Sequence, residues 1–150
     1  MVWLIYIGVD PGKNGGFAVI ADDALCGIEV HLWDDEGYIA LMKEMSKYRC
    51  IAAVEKVGAM PKQGLSSTFS FGKSAGFIEG VLAALSIPYQ LIPPKEWKKL
   101  FGLNSDKQKS IDVCKHLYPG VSLLPNERCR KDSDVMAESL LLATYAKRKL

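Results

Sequence analysis

Residues 5–16 read IYIGVDPGKNGG: an apolar run ends on the carboxylate of Asp10 and breaks at once into Pro, Asn and Gly. The nearly unbroken apolar stretch over residues 2–9 is too short to cross a membrane and reads as a buried strand that delivers an acid at its carboxyl end. The turn residues that follow, and the resumption of a short strand pattern over residues 17–21, predict a hairpin. The same design recurs in CIAAVEKVGAM, residues 50–60, where a second short apolar run ends on Glu55. A third acidic setting is KDSDVMAESLLLA, residues 131–143, in which Asp134 and Glu138 stand four apart on one face of a closing helix. Gathered in one place, these acids make an all-oxygen site suited to a hard cation such as Mg2+ or Mn2+, of the kind that serves phosphodiester chemistry.

The intervening sequence says how the acids meet. A third strand fits residues 26–33, and DDEGYIALMKEMSKY (34–48) repeats apolar positions at helical spacing behind an acidic opening capped by Asp34. Residues 50–54 form a fourth strand, FSFGKSAGFIEGVLAALS (69–86) a second helix, and residues 88–92 a fifth strand, with helices after it. The first helix supplies a crossover that lets strand four lie parallel beside strand one. Asp10 and Glu55 then finish neighbouring strands at one edge of the sheet, where open α/β sheets take their ligands. Gly72, Gly76 and Gly80 repeat every four residues along the second helix, which predicts either close packing on the sheet or a helix pair across a homodimer axis.

With 150 residues and 49% hydrophobic content, the chain has material for one domain, residues 1–150, around a single core. No apolar stretch approaches the roughly 18 to 20 residues of a membrane helix, and no signal-peptide pattern opens the chain, so the expectation is a soluble, cytoplasmic protein with no membrane partner. Cys26, Cys50, Cys114 and Cys129 form no C-x-x-C pair and read as free, mostly buried thiols. Residues 1–94 hold 7 Lys and Arg against 10 Asp and Glu, whereas residues 95–150 hold 12 against 7. The basic last third suits a polyanion docked beside an acidic metal site.

IGVDPGKNGG (7–16), VEKVGAMPKQGLSSTFSFGKSAGFIEGVLAALSIPY (54–89), PKEWKK (94–99) and DVMAESLLLA (134–143) together resemble the RuvC-type Holliday junction resolvases, especially their short phage and prophage versions. The resemblance implies a ribonuclease H-like α/β fold: a five-stranded mixed sheet in the order 3-2-1-4-5, flanked by helices. It implies a homodimer that cuts four-way or branched DNA junctions by paired nicks, with two divalent ions per active site. By the same resemblance Asp10, Glu55, Asp134 and Glu138 are the metal ligands; in two-metal hydrolysis Asp10 would bridge the ions. Asp132 competes with Asp134, which lies four residues before Glu138 where bacterial members commonly show a spacing of three. Lys98 in EWKK and Lys107 in SDK match the family's basic positions near the scissile phosphate, Lys107 with the catalytic group. Where those members carry an aromatic three residues after the strand-four acid, this chain has Gly58, and Phe69 or Phe71 is the candidate replacement.

The segment GAMPKQGLSSTFSFG (58–72) reads as a DNA-facing loop running into a helix, with Lys62, Gln63, Ser66, Ser67, Phe69 and the following Lys73 as DNA contacts. Its phenylalanines read equally as core. Trp97 reads as a packing residue, and His31 and His116 have no partner at ligand spacing. Three competing functions remain from the sequence: a non-catalytic junction-binding protein, a broader nuclease acting on flaps or RNA–DNA hybrids, and an ATP-binding domain of the actin and chaperone type. The last normally needs two copies of this unit.

Overall fold

A strand written without polar alternation must be covered on both faces, and that is how β1 (Leu4–Asp10) sits in the computed structural model, which describes residues 4–21, 27–58 and 64–150. On one face Tyr6 joins Ala18, Ile20 and Ala53 under the C-terminal helix α5 (Asp134–Lys149). On the other, Ile5, Ile7 and Val9 join Phe17, Val19, Ala52 and Val54. Tyr38 and Met42 of α1 (Asp35–Met45) and Ile78 and Leu82 of α2 (Leu65–Ala84) cover that second face.

The sheet has the order β3-β2-β1-β4-β5, as the sequence predicts. β2 (Gly16–Ala21) pairs antiparallel with β1 and with β3 (Ile28–Leu32), whereas β4 (Arg49–Glu55) runs parallel to β1 and to β5 (Tyr89–Ile92). Asp34 caps α1 as expected, its carboxylate accepting from the Gly37 amide at 2.9 Å. α3 (Pro94–Leu100) and α4 (Lys107–Leu117) pack beside α5. Tyr145 donates to Glu96 at 2.7 Å, and the Tyr118 and Thr144 hydroxyls share a hydrogen bond of 2.7 Å.

β1 and β2 approach the backbone of α5 closely at two glycines. A Cβ at Gly8 would fall less than 3.0 Å from backbone atoms of Ser139, Leu142 and Ala143, and one at Gly16 would run into the Ser139 hydroxyl and the His31 carbonyl. Only glycine lets the helix backbone rest on the sheet at these points. α5 is consequently buried over residues 136–146, without a solvent stripe.

The structure settles several local expectations in and around α2 and at the cysteines. α2 begins at Leu65, four residues before the apolar periodicity suggests, because Gly64 stands at the N-cap in extended backbone. Gly72, Gly76 and Gly80 do not pack on the sheet; a Cβ at each would meet open space. Phe69 and Phe71 are exposed, not core. Cys50 and Cys114 are buried free thiols but Cys129 is half-exposed, and Cys26 lies outside the described residues. Trp97 is wholly buried, as read. Among the described residues no helix is long and apolar enough to cross a membrane.

Replacing Gly8 by Val forces β1 and α5 apart. Overpacking of this kind costs about 1–3 kcal/mol, so urea unfolding should show a lower midpoint for Gly8→Val with little change in slope. A midpoint equal to the wild type would mean that α5 does not rest on Gly8.

Candidate active site

The parallel register that sets Val9 opposite Val54 carries Asp10 and Glu55, the next residues along, to neighbouring positions at the carboxyl edge of the sheet. α5 begins above the same edge, with the Ser133 hydroxyl capping it by accepting from the Met136 amide at 3.1 Å. Asp134 opens its first turn, and one turn later Glu138 is carried inward to 5% exposure. The seat of α5 on Gly8 and Gly16 therefore fixes where the third and fourth acids stand relative to the first two.

Lys107 enters the same space from the first turn of α4. Its ammonium donates to Glu138 at 3.3 Å and lies 3.8 Å from Asp134. Asp106 caps that helix through a 3.0 Å bond from the Gln108 amide, which aims the following lysine at the acids. Burial works against the Lys107 charge, but Glu138, Asp134 and Asp10 outweigh it and hold its pKa above the ordinary value. Asp132, the competitor of Asp134, instead forms an ion pair with Lys115. Asp134 is thus the residue that the structure brings to the cluster.

The electrostatics show how crowded the edge is. Asp10 is pushed up from 3.8 to about 8, first by burial and then by the charges of Glu55, Glu138 and Asp134, with Lys107 opposing. Glu55 is raised by burial and by Glu138, while Lys98 and Lys107 pull it down. The carboxylates neighbour one another without converging: among the described residues no three stand close enough to grip one ion together. What fits the set to a divalent cation is its donor chemistry, oxygen only, and a surplus of negative charge that one nearby ammonium does not offset.

Beside Asp10 opens a cleft of about 420 Å³ between the β1–β2 turn and one face of α2. Lys13 and Asn14 line the turn side, and Ser67, Ser70, Phe71 and Ser74 the helix side. Of the expected DNA contacts among the described residues, only Ser67 lies on this cleft. Ser66, Phe69 and Lys73 are exposed on other faces of α2, and Lys62 and Gln63 lie outside the described residues. Ser70, Phe71 and Ser74 follow Ser67 at three, four and seven residues, the repeat of one helix face, so the sequence did hold the signal once the helix start was known. Lys98 lies over the Trp97 ring at 5.7 Å on α3.

A raised carboxyl pKa means that the folded protein keeps a proton which the unfolded chain has released. Between the ordinary value of 3.8 and about 8, stability therefore falls as pH rises. In EDTA, urea midpoints for the wild type should decline across that window, and Asp10→Asn should remove most of the decline. Parallel profiles for the two proteins would show that Asp10 is neither buried nor crowded by like charge.

No protein-family model matches the chain, and no curated protein does. Solved structures do. A Thermus thermophilus RuvC structure superposes with a TM-score of 0.59 at 16% identity, covering 96% of each chain. T. thermophilus RuvC in complex with a Holliday junction substrate gives a TM-score of 0.64 at 16% identity, covering 97% of this chain and 96% of that one. This likeness, together with the strand order, establishes that the chain has the ribonuclease H-like fold of RuvC.

Proposed function

We propose that this chain is a divalent-metal-dependent endonuclease that resolves four-way or branched DNA junctions by paired nicks. The observation that carries the reading is the oxygen-only set of Asp10, Glu55, Asp134 and Glu138, which come from two strands and one helix to neighbouring positions at one edge of a sheet folded like RuvC. The similar T. thermophilus protein is seen bound to a Holliday junction, which favours branched DNA as the substrate here.

In this reading Asp10, Glu55, Asp134 and Glu138 hold Mg2+ or Mn2+, and the bound ions supply an activated water and offset charge on the phosphorus. The chain's own groups do the rest. Lys107 orients Glu138 through its hydrogen bond and neutralises part of the charge that would otherwise repel phosphate. Lys98, whose charge reaches Glu55, draws the scissile phosphate to the same edge. The hydroxyls of Ser67, Ser70 and Ser74 and the Asn14 amide offer donors to sugar and phosphate oxygens, and Phe71 a face on which an unpaired base can stack.

A four-way junction has two equivalent strands to cut, which calls for two sites and hence a homodimer. Leu65, Phe69, Gly72, Gly76 and Gly80 share one stripe of α2, exposed at Leu65 and Phe69 and open at the three glycines. That stripe is the surface we assign to the second copy, in place of the packing on the sheet.

Incubated with a labelled four-way junction and a duplex of equal length, the protein should bind the junction selectively in EDTA and nick it in symmetric pairs in Mg2+. Asp10→Asn and Glu55→Gln should lose cleavage by at least about 10²-fold, the scale on which single catalytic groups act, while junction affinity stays within a few-fold. Selective binding without cleavage in Mg2+ or Mn2+ would favour a non-catalytic binding protein, and equal treatment of both DNAs would contradict junction selectivity.

A further inference from the structure

Lys98 also lines a groove of about 540 Å³ between α3 and the segment leading to α4. Lys95, Lys98 and Lys99 form one wall, at the i, i+3 and i+4 spacing that puts them on one helical ridge, and Asn104 and Ser105 form the other. Among the described residues none of the three lysines has a carboxylate partner in an ion pair, unlike Lys47, Lys107 and Lys115. Glu96, the acid within their helix, is taken up by the Tyr145 hydroxyl. Asn104 accepts the Asp106 amide at 2.8 Å through its side-chain oxygen, which leaves its N–H groups as donors. The groove thus offers three cationic heads, an amide and a hydroxyl without an opposing negative charge.

We propose that this groove is a second binding site, a track for the sugar-phosphate backbone of the nucleic-acid strand that reaches the acidic edge. The inference rests on the nuclease reading for its direction. Lys98 belongs to both places, lining the groove while its charge acts on Glu55, so one side chain is shared by the acidic edge and the groove. Lysine, amide and hydroxyl donors are the groups that hold phosphates and set register without reading bases. Lys95 and Lys99, which the RuvC resemblance leaves without a role, are the positioning residues here.

The test compares binding of a fluorescent four-way junction in EDTA, across a range of KCl concentrations, for the wild type, Lys95→Gln/Lys99→Gln, and Lys43→Gln/Lys47→Gln at the end of α1 and just after it. The last pair removes the same charge from two exposed positions that do not line the groove. Each phosphate contact contributes about 0.9 to the slope of log K against log salt on duplex DNA, so the groove variant should lose about 1.8 of slope and the α1 variant none. Matching slopes for all three proteins, or equal losses in both variants, would overturn the groove. Circular dichroism melts that match the wild type show that folding is intact; should the double variant melt early, Ser105→Asp, which places a negative charge in the groove, must weaken binding several-fold or the proposal fails. A wild type that binds but never nicks in Mg2+ would remove the nuclease reading and leave the slope comparison to decide the groove.

Discussion

Contact between the backbones of β1 and α5 at Gly8 is the constraint on which the rest of the structure depends. Strand register alone brings Asp10 and Glu55 side by side, because parallel neighbours end together. Nothing in the sheet, however, places the acids of α5. Their position follows from a helix that lies on the strand without a side chain between them, with Gly16 extending the flat surface to β2. The same contact explains why α5 carries no polar stripe: it is held below by the sheet and at its sides by α3 and α4. A long helix buried in this way is a rigid mount, and residues at its first and second turns inherit that rigidity.

The site mounted there is electrostatically unfavourable by itself. Burial raises Asp10, and three further carboxylates raise it again; Lys107 relieves only part of this. Such crowding lowers the stability of the fold at neutral pH and is what gives an edge like this a high demand for cations. The lysines answer the same field from outside. Lys107 sits within the cluster, the charge of Lys98 reaches Glu55, and Lys98 shares a groove with Lys95 and Lys99.

Much of this was legible in the sequence, for identifiable reasons. The strands announced themselves by short apolar runs that stop on acids, and the parallel pairing of β1 with β4 followed from the crossover helix between them. Asp34 was readable as a cap because capping is local. Gly8 was not, because its role depends on a helix more than 130 residues later in the chain, and a glycine inside an apolar run looks like any other strand residue. The glycine repeat of α2 was visible, but whether it met the sheet or open space depended on which face the helix turned inward. For the same reason Phe69 and Phe71 could not be ranked: the cleft beside Asp10 takes the face of Phe71. Choosing between Asp132 and Asp134 needed the position of Lys115, which draws the former away.

The account stands on one claim above the others: that the acids at the ends of β1 and β4 and the start of α5 bind divalent cations. Crystals of the protein soaked in Mn2+ and measured at the manganese absorption edge test it directly. Anomalous peaks within coordinating distance of Asp10, together with Glu55 and the acids of α5, are the expected result. A well-ordered acidic edge without any such peak, at millimolar Mn2+ and a pH above that at which Asp10 ionises, would contradict it.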